Sequence, residues 1–155
     1  MTARTEVQTI TGATLAISAT VPSTYDSAGY TGSPQITWTT IGSIENFGNH
    51  GGTAQINTFT PVDTGAVQKS KGSKDYGTMS LVLGSIPSDT GQALLDTAFE
   101  STAHYSFKLS YPDGAVHYFD ALVSKAEWMD GAANDNSRRA VDLAISRKPV
   151  VVAAP

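Results

Sequence analysis

The sequence has no cysteine, little charge and no long apolar run. Without cysteine there are no disulfide staples and no thiolate chemistry, so the 155 residues must rely on a hydrophobic core, for which one domain of this size suffices. Charged residues make up only 15% of the chain, against about 25% in an ordinary soluble domain. Apolar residues reach 40%, too many for a chain disordered overall. A surface this poor in charge is one that partners can cover. No stretch approaches the roughly 18 apolar residues of a membrane helix, so no membrane insertion is expected. Residues 1–20 carry Arg4, Glu6 and many threonines instead of an apolar run, so no signal peptide is expected either. Synthesis in the cytoplasm is the resulting expectation. The net charge of -4 argues against a tight grip on nucleic acid, which needs a concentrated basic surface.

What is present is mostly strand signal. Residues 1–12 read as a loose arm, and Thr14 to Thr20 alternates as a first strand with Leu15 and Ile17 on one face. A long loop follows from Pro22 to Pro34. Strands are expected at Gln35–Ile41, with Ile36, Trp38 and Thr40 on one face, and at Thr53–Thr60 after the Asn49–Gly52 turn. Residues 61–76 are polar and loop-like. Thr78–Leu83 is nearly continuously apolar, as in an interior strand covered on both faces. One helix is expected over 87–100, capped by Ser88 or Asp89, with Leu94, Leu95, Ala98 and Phe99 at helical spacing. Tyr105–Tyr111 and Ala115–Val123 form a hairpin about Asp113 and Gly114. A two-residue turn there sets Leu109 opposite Tyr118 and Phe107 opposite Asp120. Trp128 continues the strand or follows a bulge. A last strand alternates through Arg139, Val141, Leu143 and Ile145, and residues 149–155 read as a loose tail. The class is mainly β: a two-sheet β-sandwich or partly closed barrel of seven or so strands, with one flanking α-helix, as a single domain over 13–148.

Chemistry has little to work with. The expected hairpin sets His117 opposite Ser110, with His104 roughly 20 Å away along the partner strand, and leaves His50 in a remote glycine turn. No metal site is expected from histidines so placed. Asp120 projects among Phe107 and Tyr118. A buried acid needs a partner, and either Arg139 or Arg147 would serve unless a bulge re-aims the side chain. Lys69, Lys71 and Lys74 lack the Gly-x-x-x-x-Gly-Lys-Ser/Thr spacing of a phosphate loop. They read as a solvated hairpin loop, or as a subunit contact that meets an acidic patch on a neighbour. Tyr25 and Tyr30 either build a sugar platform or anchor their loop on the core, and anchoring is favoured. No nucleophile, base and orienter can be assembled, so neither an enzyme nor a cofactor is expected.

The order of parts carries a resemblance. A first strand leads to Pro22-Ser23-Thr24-Tyr25-Asp26-Ser27-Ala28-Gly29-Tyr30 and then to Ile36-Thr37-Trp38-Thr39-Thr40-Ile41-Gly42-Ser43-Ile44. A central helix follows with Leu94-Leu95-Asp96-Thr97-Ala98-Phe99. Next come the turn Tyr111-Pro112-Asp113-Gly114 and the strand Phe119-Asp120-Ala121-Leu122-Val123. In this order the chain resembles, over residues 13–148, the major tail tube proteins of long-tailed bacteriophages related to the tube protein of phage lambda. The resemblance implies a small β-sandwich whose copies close into hexameric rings. Those rings stack into a tube, with strands lining a channel for the genome and an acidic lumen along which DNA slides. It implies tape-measure, terminator and baseplate or initiator proteins as partners, and residence in the virion after synthesis in the host bacterium. It also implies an assembly loop at 61–76, placing Val67, Gln68, Lys69, Lys71, Lys74, Asp75 and Tyr76 at a subunit or ring interface. The arm and the tail would add stacking contacts. The chain reads as short for the group, and the C-terminal immunoglobulin-like domain that some relatives carry is not expected in it.

Two other readings keep the same architecture. A tail terminator or contractile-tail inner tube would differ only in how rings stack. A carbohydrate-binding sandwich would need Tyr25, Tyr30 or Trp38 displayed outside the core.

Overall fold

The computed structural model describes residues 5–32 and 35–154. The first four residues of the expected arm, Ser33 and Pro34 of the expected loop, and Pro155 of the expected tail lie outside the described residues. The protein is mainly β, with two sheets and a flanking helix. In chain order the elements are β1 (Thr14–Ser18), α1 (Ser27–Thr31), β2 (Thr39–Ile41), β3 (Ile44–Asn46), β4 (Thr53–Phe59) and β5 (Gln68–Asp75). Then come β6 (Thr78–Gly84), α2 (Thr90–Glu100), β7 (Tyr105–Ser110), β8 (Val116–Met129), β9 (Arg138–Ile145) and β10 (Val150–Val152). The eight-stranded sheet runs β2-β1-β7-β8-β9-β6-β3, with β10 also on β8, and β4 and β5 form a sheet of their own.

The fourteen-residue β8 organises the core. Its first half pairs with β7, and from Ala121 onward it pairs with β9 through a bulge between Val123 and Lys125. Bulges bend and twist a strand, so the two halves of the sheet turn toward each other. Leu15, Ile17, Phe107 and Phe119 from one half share a single buried cluster with Met79, Leu81, Val141 and Leu143 from the other. Fully burying one such side chain contributes about 1.5–3 kcal/mol. The helix α2 adds Leu95 and Ala98 to this cluster, whereas Phe99, expected on the same face, is exposed.

The sheet curls almost into a barrel. β2 and β3 stand at opposite ends of the strand order, yet only Gly42 and Ser43 separate them in the chain. The corner is tight enough to hold Ser43 at φ 59°, a value uncommon outside glycine. The start of α2 clamps it: Asp89 accepts from the Gly42 N–H at 3.2 Å, and Gln92 donates to the carbonyls of Gly42 and Gly84. Asp89 is also the helix N-cap, accepting from the Gln92 N–H. Gly91 is required here, because an added Cβ would lie 2.4 Å from the Thr40 carbonyl oxygen.

Several expectations are corrected. The β7–β8 connection is a three-residue loop, Pro112-Asp113-Gly114, closed by Tyr111 N–H to Ala115 O and by Gly114 N–H to Tyr111 O. Gly114 takes the positive φ of 98° that such a loop needs. The extra residue slips the register by one, so Phe107 faces Phe119 and Leu109 faces His117. That slip reverses the faces of β8. The Gln35–Ile41 strand shortens to Thr39–Ile41, and β6 is buried on one face only, through Met79, Leu81 and Leu83. The tail is paired rather than loose, with β10 on β8 at Val116–Tyr118. A short helix, α1, lies in the expected loop, and half of the expected loop at 61–76 is strand β5.

Candidate assembly interface

The β4–β5 hairpin stands apart from the body of the protein. Its strands pair with each other and with no other strand among the described residues. A lone two-stranded hairpin is marginal in water. This one also leaves Ile56, Phe59 and Val67 more than half exposed, and Val62 at its tip fully exposed. Such apolar exposure on a projecting element marks a surface that something else covers.

The sequence-predicted contact residues all map to this hairpin or its root. Val67 precedes β5, and Gln68 pairs with Phe59, Lys69 with Thr58, Lys71 with Ile56, Lys74 with Ala54 and Asp75 with Thr53. Lys71 and Lys74 are three apart, a spacing that puts them on opposite faces of a regular strand. A register shift between Ala54 and Ile56 brings them to the same face, which Lys69 shares. Asp75 turns away to accept from the Gly77 N–H at 2.8 Å, and Tyr76 packs against the main core. Asp113 and Gly114 belong to the separate β7–β8 turn; there the Asp113 carboxylate accepts from the Ala115 N–H.

At the hairpin root lies a cavity of about 410 Å³, lined by Lys71, Lys74, Lys148, His50 and His117 among others. His50 Nε2 and His117 Nδ1 are 2.7 Å apart, so one ring donates and the other accepts. This overturns the expectation that the histidines lie apart: the register slip turns His117 from the Ser110 side to the side where the glycine turn delivers His50. Burial holds both imidazoles below their ordinary pKa, and the His50 charge lowers His117 further. Tyr111 stacks edge-on against His117. Two imidazoles make a poor metal site alone, and no third ligand-type side chain joins them among the described residues.

A second cluster covers the outer face of β8. Tyr30 of α1 stacks on Tyr118 at 5.1 Å between ring centroids, and Trp38 leans on the same ring. Asp120 is buried beneath them, its carboxylate 3.5 Å from Arg147 Nε and 3.3 Å from His104 Nδ1. Arg147 is thus its arginine partner, while Arg139 pairs with Asp96 of α2 and lies over Trp128. Burial, reinforced by the Asp120 charge, raises the Tyr30 phenol pKa far above its ordinary value. Arg147 also covers the Tyr25 ring at 3.9 Å. Tyr30 anchors the loop in the buried cluster, while Tyr25 stays exposed beneath the Arg147 guanidinium.

The comparisons agree with this architecture. The profile described as "Lambda phage tail tube protein, TTP" matches residues 24–152. No curated protein sequence matches the chain. Among solved structures, the anti-feeding prophage baseplate is similar at a TM-score of 0.65 and 9% identity, over 92% of this chain and 93% of that one. The tail of an empty gene transfer agent particle, refined with C6 symmetry, is similar at 0.61 and 14%, over 90% and 96%. The SPP1 tail tube is similar at 0.61 and 11%, over 94% and 80%. At these identities the likeness is one of fold. The family match is specific enough to place the chain: it belongs to the lambda phage tail tube protein family.

Proposed function

We propose that this chain is the repeating subunit of a long-tailed phage tail tube, closing into hexameric rings that stack into the conduit for genome ejection. The observation that carries this reading is the β4–β5 hairpin, which projects apolar and basic side chains left exposed by the described residues of its own chain. Val67, Gln68, Lys69, Lys71, Lys74, Asp75 and Tyr76 form its contact with neighbouring copies. Beyond Ala121, β8 has no partner on its β7 side among the described residues, which leaves an edge for sheet joining between subunits. Closed cyclic symmetry satisfies such an edge in a ring, and a different head-to-tail surface serves stacking. The net charge of -4 suits a wall along which DNA passes without adhering. Tape-measure, terminator and baseplate proteins would be its other partners in the virion, after synthesis in the host cytoplasm. The role is structural and needs no catalysis.

Sedimentation velocity over a wide concentration range tests the reading. Hexamer-sized and larger species in the native chain, reduced to monomer by Ile56→Ser with Phe59→Ser, are expected. Native-like assembly of that double variant would remove the hairpin from the interface. A second reading keeps the fold but assigns another position in the tail, as terminator or contractile-tail inner tube. The fold likeness to the sheath/tube terminator of an extracellular contractile injection system favours it, and rings that never stack would select it.

A further inference from the structure

The structure places opposite charges at opposite ends of the same strands. One end holds the cavity at the hairpin root, into which Lys71, Lys74 and Lys148 converge. No carboxylate lines that cavity, and among the described residues none of the three lysines is ion-paired. The β5 bulge aims two of these lysines at one place, which is more than scattered surface charge would show.

The other end is the β8–β9 tip. It carries Glu127, Asp130 and Asp135, all exposed. Among the described residues the cations beside them are Lys125, 3.6 Å from Glu127, Arg138, whose guanidinium is bonded to Glu45 at 2.7 Å, and buried Arg139, which is paired with Asp96. β8 leaves the cavity at His117 and reaches the acidic tip after Met129, up to roughly 40 Å away at strand spacing. β9 runs back from the tip at Arg138 to Ile145, whose N–H bonds Gly77 beside the hairpin root. The basic cleft and the acidic tip are therefore separate poles of one molecule, too far apart to neutralise each other within it.

We infer that the acidic β8–β9 tip of one copy docks in the basic cleft at the hairpin root of the next, giving a head-to-tail contact along the strand direction. A heterologous contact of this kind propagates instead of closing, and complementary charge fixes its polarity and disfavours head-to-head pairing. The inference deepens the tail tube reading and rests on its premise that the chain associates with itself.

A charge-swap experiment tests it. Lys71→Glu with Lys74→Glu makes both poles acidic, and Glu127→Lys with Asp130→Lys makes both basic. Each pair of substitutions is expected to raise the concentration needed for association at least about tenfold at low salt. Combining all four inverts both poles, and association is expected to return. That recovery also shows that each set of substitutions leaves the fold intact. Native chain that forms tubes or rings while Lys71→Glu with Lys74→Glu leaves them unchanged overturns this inference but not the tail tube reading. Loss in both single sets without recovery in the combined variant, although circular dichroism shows it folded, also overturns the docking. A native chain with no association at low salt contradicts both.

Discussion

Gln92 shows how much one side chain can hold in this fold. It is 3% exposed, and its carboxamide donates to the Gly42 and Gly84 carbonyls and accepts from the Ile86 N–H. Gln92→Leu is expected to cost about 1–3 kcal/mol, because it leaves partly buried backbone groups without partners. Urea unfolding would read this as a lower midpoint with an unchanged slope; an unshifted midpoint would mean that the clamp is dispensable. Its neighbour Asp89 was legible in the sequence, since an N-cap acts over three residues. Gln92 was not, because two of its partners are made by chain reversals that no local pattern announces. Asp120 was half legible. Its need for an arginine follows from the cost of a buried charge, but choosing Arg147 over Arg139 depends on α2 offering Asp96 to the latter.

Among the elements, hairpins decide both what could be read and what could not. The Asp113-Gly114 signal located the β7–β8 turn, yet one further loop residue shifted the register and exchanged the faces of β8. The histidine pair was hidden for that reason. Likewise the β5 bulge gathers lysines that regular strand geometry separates. The paired imidazoles make the hairpin root sensitive to pH. Burial lowers both pKa values, so the neutral pair is favoured in the folded state. Its contribution is present in full above the ordinary histidine value of about 6.5 and is lost as pH falls below it. Amide exchange in β4 and β5 is expected to quicken as pH falls from 7 to about 5, after correction for intrinsic rates, and His117→Gln should flatten that dependence. Equal pH dependence in the variant would disconnect the pair from the hairpin. Replacing residues 54–74 with a short glycine-serine link should leave a folded monomer of similar thermal midpoint that does not associate, since β4 and β5 pair with no other strand among the described residues.

At the scale of the whole molecule, strand count and one helix gave the mainly β class, with a sandwich or partly closed barrel as its form, while the corner that brings the ends of the sheet together was out of reach. It depends on β2 and β3, three residues each, meeting across Gly42 and Ser43. Elements that short leave no periodic signal. The body buries one large core and a smaller cluster about Tyr30, Ile36 and Tyr118, and it projects the β4–β5 hairpin outward. That division matches a part whose body is rigid and whose contacts are made by what protrudes. The central claim is therefore about assembly, and electron microscopy of the purified chain at high concentration, in negative stain, tests it most directly. Hollow tubes with a regular ring repeat are the predicted result. Dispersed particles of monomer size at every concentration, with light scattering showing no growth, would contradict it.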